Sequence, residues 1–332
     1  MEDRKSDHIL LAFQSQMDLK DKDPRFYYEP LLNPHPSTES EPFSFLGKKL
    51  EVPMWISSMT GGTQQARKIN LNLARACKEF GMGMGLGSCR IILRPNNYFK
   101  DFDMRDVIGD NLPFYANLGI SQVEDSLKNN TTGLIIDLVK RLRADGLIIH
   151  VNPLQEWLQP EGDRLEKAPV DTLKRFIEKT DMKIIVKEVG QGMGPESLRE
   201  LMKLPLAAIE FAAYGGTNFA SVELMRSDNI SQQLYGPIAS IGEDAMNMSD
   251  YVNRIVEEEG NHILCREIII SGGIRHFLDG YYFISKLDLP AIFGQASAFL
   301  KFAREEYASL QKYIDMQIKG LRLAQAFLRI RR

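Results

Sequence analysis

The sequence is poor in cysteine, with Cys77, Cys89 and Cys265 as its only three among 332 residues. They form no Cys-x-x-Cys pair, and an odd number cannot complete a set of disulfides. This pattern argues against a zinc or disulfide scaffold and favours a reducing compartment. The chain also lacks an apolar run of the roughly 18 residues that a membrane span needs. Its charged first residues are not followed by a signal-type apolar segment. We therefore expect a cytoplasmic protein with no membrane insertion.

The sequence also lacks a large excess of either positive or negative charge. Lysine and arginine together number 41 and the acidic residues 44, which gives a net charge of -3 at pH 7. Without a basic bias, the composition gives no reason to expect a nucleic-acid partner. Hydrophobic residues make up 44% of the chain, which is enough for a large core. The length fits two domains, but also one α/β barrel, which commonly takes about 250 residues.

What the sequence does contain is a repeated rhythm. Eight short apolar segments, most ending in glycine or polar residues, begin near positions 54, 82, 113, 146, 183, 207, 267 and 291. Helix-period segments lie between most of them, at 63–80, 132–144, 170–180, 196–203, 248–260 and 276–286. Strands that alternate with helices at a spacing of about 30 residues predict a (β/α)8 TIM barrel. A doubly wound open sheet is the alternative, because a strand count does not prove closure.

Three regions depart from this rhythm. The first 50 or so residues form an irregular lead-in, in which a short helix over 6–17 precedes five prolines between positions 24 and 42. The stretch 218–244 is long, and a lid over the barrel mouth and a passive insertion are both consistent with it. A long helical run over 297–325 is predicted to pack on the barrel or on a neighbouring subunit.

The densest polar cluster follows the predicted fourth strand and comprises His150, Asn152, Gln155 and Glu156. Ligands of α/β barrels bind at the carboxyl ends of the strands, so we expect a binding site here. Asn152 and Gln155 can orient a substrate. Glu156 can bind Mg²⁺, which often takes only one or two protein carboxylates. A solvated loop is the alternative.

Glycine pairs at late strand ends point to a phosphate. Ser271-Gly-Gly-Ile-Arg275 and Gly294-Gln-Ala296 follow the seventh and eighth strands, where barrels commonly hold phosphate groups. Together they predict a phosphorylated cofactor, although one glycine pair alone indicates only a tight turn. Lys187 lies inside the apolar fifth strand. It either faces a carboxylate such as Glu188 or Glu210, or stands beside an electron-accepting ring.

Taken together, these motifs resemble the type 2 isopentenyl-diphosphate delta-isomerases over nearly the whole chain. The specific part is His150-Val-Asn-Pro-Leu-Gln-Glu156 leading to Gln159-Pro-Glu-Gly-Asp163, whereas the Gly-Gly-x-Arg element is shared with FMN-dependent hydroxy-acid oxidising barrels. The remaining matches are Arg4-Lys-Ser-Asp-His8, Ser57-Ser-Met-Thr-Gly-Gly62, Gly87-Ser-Cys-Arg90, Ala116-Asn-Leu-Gly119, Lys187-Glu-Val-Gly190 and Gly215-Gly-Thr217.

The resemblance implies a flavoenzyme that interconverts isopentenyl diphosphate and dimethylallyl diphosphate. Such an enzyme binds FMN and Mg²⁺ and needs the flavin reduced, with NADPH as a possible reductant. It also implies one barrel domain over 1–332, whose lead-in 1–50 contributes substrate-binding residues, and a homotetramer or larger assembly.

The resemblance also implies roles for individual residues. Gln155 is the catalytic residue and Glu156 the Mg²⁺ ligand. The substrate-binding residues are Arg4, Lys5, His8, Ser88, Cys89, Arg90, His150, Asn152 and Gln155. The FMN-binding residues are Ser57, Ser58, Met59, Thr60, Ser88, Asn117, Lys187, Thr217, Gly273, Ile274, Arg275, Gln295 and Ala296.

The chemistry is consistent with this assignment. Moving a double bond requires one proton to be added to an alkene carbon and another to be removed nearby, and no side chain of ordinary pKa is an obvious acid for that. We expect the flavin N5 region to act as acid and base while Gln155 positions the substrate. Cys89 stands where many members of the family carry Gln. It alters the substrate fit only if it faces the pocket.

Two alternative functions would need different residues. An FMN-dependent 2-hydroxy-acid oxidase or dehydrogenase needs a catalytic His just upstream of an Arg near the seventh strand. Here His262 precedes that strand and His276 follows the glycine pair. A non-catalytic flavin- or phosphate-binding protein would have no need of Arg4, Lys5, Gln155 and Glu156.

Overall fold

The computed structural model describes residues 2–37, 41–58 and 64–331. Its strands in chain order are β1 (Phe26–Tyr28), β2 (Phe43–Phe45), β3 (Lys48–Leu50), β4 (Met54–Ile56), β5 (Gly83–Gly85), β6 (Phe114–Gly119), β7 (Gly146–His150), β8 (Lys183–Lys187), β9 (Ala208–Glu210), β10 (Ile268–Ile270), β11 (Ala291–Gln295) and β12 (Leu328–Ile330). Strands β4 to β11 are parallel and close into a barrel in the order β10-β11-β4-β5-β6-β7-β8-β9. The predicted TIM barrel is confirmed, and closure excludes the open sheet.

The α-helices in chain order are α1 (Glu2–Leu11), α2 (Gln64–Phe80), α3 (Arg105–Ile108), α4 (Ile120–Lys128), α5 (Thr132–Arg141), α6 (Pro153–Leu158), α7 (Pro169–Ile177), α8 (Pro195–Met202), α9 (Phe219–Arg226), α10 (Asn229–Ala239), α11 (Ala245–Glu259), α12 (Phe277–Lys286), α13 (Ser297–Ala303) and α14 (Tyr307–Phe327). Short 3-10 turns cover Leu19–Asp21, Arg90–Ile92, Asn97–Asp101 and Gly260–His262.

The helices that separate the strands lie where the sequence predicts them, with shifted ends. Two expectations were wrong in detail. The first helix spans Glu2–Leu11 rather than 6–17, and the run over 297–325 is broken into α13 and α14. The stretch 218–244 contains α9 and α10. Helix α4 was not predicted, although Ile120, Val123 and Leu127 recur along it at helical spacing.

The barrel strands are buried because helices or the lead-in cover their outer faces. Ile184, Ile185 and Val186 of β8 are each at most 2% exposed. This is the near-continuous apolar pattern of a parallel sheet that is covered on both faces. Inside, the ring of Trp55 packs edge-on against Tyr115 with ring centroids 6.2 Å apart. The barrel is therefore a packed core rather than a pore.

The amino end of the barrel is closed by the β2–β3 hairpin. The backbone N–H of Leu46, at the turn, donates to the Glu267 carboxylate at 2.8 Å. The Lys183 ammonium donates to the Leu46 carbonyl at 3.2 Å. Lys183 and Glu267 stand at or just before the starts of β8 and β10. The hairpin thus covers this end and leaves the carboxyl end for a ligand.

The lead-in is tied to the barrel near its carboxyl end. Strand β1 pairs antiparallel with β12, and Arg25 donates to the buried Asp279 carboxylate on α12 at 2.8 Å. Residues 4–20, by contrast, are all exposed. Within the part of the chain that the structure describes, no helix has the length and apolar character that crossing a membrane requires.

Candidate functional site

A cavity opens at the carboxyl end of the barrel, between the ends of β4, β8, β9, β10 and β11. Many of the predicted cofactor-binding residues line it together, namely Ser57, Ser58, Lys187, Thr217, Gly273, Ile274, Gln295 and Ala296. Met59 and Thr60 lie outside the described residues. The structure therefore brings together residues that are up to about 240 positions apart in the sequence. This is expected, because the carboxyl ends of the strands of one barrel meet at the same face.

Two serine hydroxyls in this cavity have no hydrogen-bond partner among the residues that the structure describes. Ser57 and Ser58 follow β4, and the Oγ atoms of both are buried and unpaired. The Ser57 backbone is held by the carbonyl of Gln295, which accepts its N–H at 3.0 Å. A buried polar group without a partner is costly unless a ligand or water satisfies it. These two hydroxyls are suited to a polar ligand in the cavity.

Two glycine pairs, Gly215-Gly216 after β9 and Gly272-Gly273 after β10, lie against each other. Gly215, Gly272 and Gly273 have φ of +114°, +87° and +74°, values that favour glycine. A Cβ on Gly272 would lie 2.1 Å from the carbonyl oxygen of Ala213. A Cβ on Gly216 would lie 3.1 Å from the backbone nitrogen of Gly273. The strand ends thus form a backbone cradle without side chains, as a phosphate group requires.

Arg275 stands at the edge of this cradle, and its side chain is 77% exposed. Its backbone N–H donates to the Asp279 carboxylate at 3.0 Å, and its Nε lies 3.4 Å from the same oxygen. The other oxygen of Asp279 accepts from Arg25. Asp279 therefore connects the lead-in to the predicted phosphate loop while the end of the Arg275 guanidinium points outward.

Lys187 ends β8 and contributes a buried cation to the cavity, at 8% exposure. Its ammonium donates to the backbone carbonyl of Glu188 at 2.7 Å, and not to the carboxylate of Glu188 or Glu210 as one alternative expected. The Glu210 carboxylate instead accepts from the Ser271 hydroxyl at 3.0 Å. The charge of Lys187 is available to stabilise negative charge on a bound ring.

Asn117 and His150 form a fixed pair on the neighbouring strands β6 and β7. The Asn117 amide nitrogen donates to the Leu86 carbonyl at 3.0 Å, so its oxygen faces the His150 Nδ1 at 2.8 Å. In the neutral imidazole, Nδ1 therefore carries the proton and Nε2 is the acceptor. Asn117 is predicted to bind FMN. The structure shows that its amide orients His150.

Burial, and after it the positive charge of Lys187, lower the pKa of His150 from 6.5 to about 3. Lys187 is the partner of His150 in the β7–β8 register. The glycine at position 119 leaves room for the ring, because a Cβ there would lie 3.0 Å from the imidazole Nε2. The histidine is neutral at physiological pH in the free site.

The amides of Asn152 and Gln155 form a network with a carboxylate from a distant helix. The Asn152 Nδ2 donates to the Gln155 Oε1 at 3.1 Å, and the Gln155 Nε2 donates to Glu223 at 3.2 Å. Glu223 lies on α9, is 4% exposed, and pairs with Arg226 at 2.7 Å. The Oδ1 of Asn152 is buried and has no partner within the described part of the chain. Both the oxygen and the nitrogen of the Gln155 amide, the predicted catalytic group, are therefore hydrogen-bonded.

Glu156 is buried in the first turn of α6, at 7% exposure. One carboxylate oxygen accepts from Asn152 at 3.2 Å and the other from the backbone N–H of Asp163 at 2.7 Å. Each oxygen keeps a second lone pair for a cation. No cluster of three or more His, Cys, Asp or Glu side chains suited to a metal ion occurs in the described ranges. A metal here would depend on Glu156, water and ligand oxygens.

The residues that follow β5 differ in their exposure to solvent. Ser88 is exposed, whereas Cys89 is fully buried and its thiol donates to the Gly87 carbonyl at 3.4 Å. Burial raises the pKa of the Cys89 thiol to about 12. Arg90 is 59% exposed in its side chain and pairs with Asp163 at 3.1 Å. The Cys89 side chain faces the protein interior.

The three predicted substrate ligands of the lead-in lie apart from the cavity. Arg4, Lys5 and His8 are exposed on α1 and do not line it. Sequence reasoning, in turn, gave no role to two residues that the structure places at the site. Glu223 meets Gln155, and Asp163 contacts both Arg90 and Glu156. Asp163 belongs to the Pro-Glu-Gly-Asp element, which could have suggested it. No signal singled out Glu223.

The arrangement has two chemically distinct parts. The glycine cradle, the unpaired serine hydroxyls and the buried Lys187 can hold an anionic, phosphorylated ring system. The Asn152, Gln155, Glu156 and Glu223 network lies beside it, because β7 and β8 are adjacent. It offers amides for orientation and carboxylates for a cation. The site can bind a cofactor and a second charged ligand side by side.

Two relatives found by comparison with known proteins carry the same name. No protein-family model matches the chain. The chain is 34% identical over 281 residues to the isopentenyl-diphosphate delta-isomerase of Rickettsia felis, which covers 84% of this chain and 78% of that protein. It is 33% identical over 287 residues to the protein of the same name from Rickettsia typhi, with the same shares covered.

Solved structures share the fold. The flavin-binding domain of baker's yeast flavocytochrome b2 superposes with a TM-score of 0.62 at 12% identity, covering 91% of this chain and 72% of that one. A mandelate oxidase mutant with a monooxide FMN adduct gives a TM-score of 0.56 at 13% identity, covering 92% and 88%. At such low identity these matches support the barrel architecture alone.

Proposed function

The chain belongs to the isopentenyl-diphosphate delta-isomerase family, and on that premise we propose that it catalyses the flavin-dependent, type 2 form of this reaction. The substrates are then isopentenyl diphosphate and dimethylallyl diphosphate, the cofactors are reduced FMN and Mg²⁺, and NADPH serves as a reductant. The observation that carries the proposal is the position of the buried Lys187 beside both the glycine cradle and His150, at the mouth of a closed barrel.

FMN fits the residues that are present. The unpaired hydroxyls of Ser57 and Ser58 suit the polar edge of a ring, and the Gly215-Gly216 and Gly272-Gly273 pairs suit its phosphate. Arg275 would add a cation at the phosphate, and Lys187 would stabilise negative charge on the reduced ring. When bound, reduced FMN would supply the proton-transferring ring nitrogen that the side chains of the site lack.

The substrate diphosphate needs several cations. We assign it to Arg4, Lys5, His8 and Arg90, with Ser88 and His150 beside them. Because α1 is exposed, this assignment requires the helix to approach the mouth. The neutral His150 must take up a proton before its Nε2 can donate to a phosphate oxygen.

Mg²⁺ would bind Glu156 and the diphosphate oxygens. A divalent ion that keeps several waters and uses one carboxylate is typical of Mg²⁺ on a phosphorylated substrate. The two hydrogen bonds that the Glu156 carboxylate accepts hold it in place for this role. Such supporting contacts commonly tune metal affinity.

Gln155 positions the substrate carbon chain in this proposal. Its amide is oriented from one side by Asn152 and from the other by Glu223, so it has little freedom to rotate. A small misplacement of a reacting group can cost about 100-fold in rate, so a fixed amide contributes directly to turnover. Glu223 is buried beside it and is a second candidate to hold or move a proton.

The remaining features of the proposal extend to the whole molecule. We infer that residues 1–332 act as one FMN-dependent domain, that the enzyme is cytoplasmic, and that it forms a homotetramer or larger homo-oligomer. The buried, unreactive cysteines are compatible with a reducing compartment.

The test is an anaerobic isomerisation assay with isopentenyl diphosphate, FMN, Mg²⁺ and NADPH or dithionite, repeated with each component left out. Activity that needs both reduced flavin and the metal supports the proposal. Flavin that is reduced by a 2-hydroxy acid, in a protein inert to isopentenyl diphosphate, would indicate an oxidase or dehydrogenase instead. A protein that takes up no FMN would contradict the cofactor assignment.

A further inference from the structure

The segment over residues 218–244, which we call the lid, consists chiefly of helices α9 and α10. It brings Glu223 to Gln155 at 3.2 Å. Helix α10 has no buried residue, and Ile230 and Leu234 on it are each 70% exposed. Apolar burial therefore contributes little to holding α10 in place, and specific hydrogen bonds must do so.

Both ends of the lid are attached to one loop, residues 189–192, between β8 and α8. At the start of the lid, the Phe219 N–H donates to the Val189 carbonyl at 3.4 Å. Gly190 allows this approach, because it has a φ of +124° and a Cβ there would lie 2.1 Å from the Thr217 carbonyl oxygen. The loop and the beginning of α9 are thus in backbone contact.

At the far end of the lid, the side chain and the backbone carbonyl of Gln191 both connect the lid to this loop. The Gln191 Nε2 donates to the carbonyls of Ile241 at 2.7 Å and Ile238 at 3.2 Å. The Gln191 carbonyl accepts the N–H of Glu243 at 2.8 Å. A single amide group therefore donates to two carbonyls at the end of α10, close to Pro237, which lies inside that helix.

The loop that carries Gln191 is itself fixed to the cavity. One carboxylate oxygen of Glu188 accepts the backbone N–H groups of Gly190, Gln191 and Gly192 at 2.6, 2.6 and 3.0 Å. Glu188 follows Lys187, whose ammonium donates to the Glu188 carbonyl. A continuous set of contacts runs from the cavity wall through the loop to the lid.

We propose that Gln191 is a positioning residue that latches the lid, and that the latch keeps Glu223 against Gln155. Its consequence for catalysis rests on the proposed function, whereas the latch itself does not. Because α10 has no buried residue, loss of the two donated hydrogen bonds should release the far end of the lid.

The test replaces Gln191 by Glu, which keeps the shape but turns a donor toward two carbonyls into an acceptor. Hydrogen exchange of the α10 amides in the FMN-loaded protein should accelerate on the order of tenfold, the scale of losing about 1.4 kcal/mol of hydrogen bonding. Gln191→Lys, which restores a donor, should largely preserve the protection.

The matched control is Gln233→Glu, because Gln233 is exposed on α10 and the same charge change there leaves the latch intact. Its exchange should equal that of the wild type. Equal acceleration in Gln233→Glu and Gln191→Glu, or no acceleration in the latter, would overturn the proposal. So would loss of protection throughout the barrel strands in every Gln191 variant, because Gln191 would then serve the fold as a whole.

The catalytic consequence is measured separately. In Gln191→Glu, kcat for isopentenyl diphosphate should fall about tenfold while KM and FMN affinity change little, because Glu223 is misplaced and the binding groups are not. Faster exchange with unchanged kcat would disprove the catalytic part. If the wild type does not isomerise the substrate, the proposed function fails, and the exchange experiment still decides the latch.

Discussion

The Nδ1 atom of His150 lies 2.8 Å from the Oδ1 atom of Asn117. Because the amide of Asn117 is itself fixed by the Leu86 carbonyl, this contact selects the tautomer of the half-buried His150. The imidazole ring lies beside Lys187. Burial, together with the positive charge of Lys187, lowers the pKa of His150 to about 3. His150 is therefore held neutral and oriented at the point where the cofactor and substrate regions meet.

Replacing His150 by Gln should change how stability depends on pH. As pH falls through 6.5, the unfolded chain protonates His150 while the folded protein does not do so until about 3. The unfolded state then binds more protons, so stability is lost as pH falls through this window. Urea unfolding at pH 7 and pH 4.5 should show a larger loss for the wild type than for His150→Gln. Equal losses would mean that the imidazole titrates normally.

Removal of the Glu223 carboxylate should impair turnover without affecting cofactor binding. In Glu223→Ala the Gln155 amide loses its acceptor, so we expect kcat to fall by roughly 10- to 100-fold with little change in KM. Gln155→Ala should have a comparable effect. Steady-state kinetics and FMN titration measure both quantities, with the exposed Gln233→Ala as a control. Unchanged turnover in Gln155→Ala would remove its positioning role.

The Ser57 hydroxyl should contribute to FMN affinity and not to the stability of the fold. It is buried and unpaired, so Ser57→Ala should leave the FMN-free protein equally stable or more stable by about 1 kcal/mol. FMN affinity should decrease by several-fold at the same time. Thermal unfolding without FMN and fluorescence titration with FMN separate the two effects. A destabilised protein with unchanged FMN affinity would show that the hydroxyl serves the barrel alone.

The glycine pair at the end of β10 should respond differently at its two positions. Gly272→Ala places a Cβ 2.1 Å from a backbone oxygen, so we expect a loss of stability of about 2 to 4 kcal/mol. In Gly273→Ala the nearest atom is 3.5 Å away, so the cost is mainly its positive φ. This variant should remain folded and bind FMN more weakly, because a methyl group enters the cradle. Chemical denaturation and FMN titration of both variants test this contrast.

The Mg²⁺ concentration that isomerisation requires should depend on the Glu156 carboxylate. Chelation with EDTA is expected to abolish isomerisation, and readdition of Mg²⁺ to restore it. Glu156→Gln keeps the shape of the side chain and one acceptor oxygen but removes the charge, so half-maximal activity should need at least about tenfold more Mg²⁺. Activity measured against Mg²⁺ concentration gives this value. An identical curve for the variant would place the metal elsewhere.

The fold was largely predictable from the sequence because its signals are local. Apolar runs that end in glycine and alternate with helix-period segments require only neighbouring residues to be read, and they led to the correct barrel. Helix ends were less accurate, since capping and tertiary packing decide where a helix begins and ends. Helix α4 was missed, although its buried apolar residues recur at helical spacing.

The site was predictable only in part. Residues at strand ends, such as Lys187 and Gly273, converge as expected because parallel strands of one barrel share a carboxyl end. Their partners were not predictable. Lys187 meets a backbone carbonyl instead of a carboxylate, and Cys89 faces inward. Which face of a strand or turn a side chain takes depends on packing against residues far away in the chain.

The sequence by itself determined the alternation that closes the barrel, the glycines that form the cradle, and the polar cluster after β7. Only the tertiary structure decided that Glu223 contacts Gln155 across 68 positions and that Gln191 holds the end of the lid 50 positions away. Periodicity and turn chemistry act between neighbours in the chain, whereas these contacts form only after the strand ends and the lid have been brought together in space.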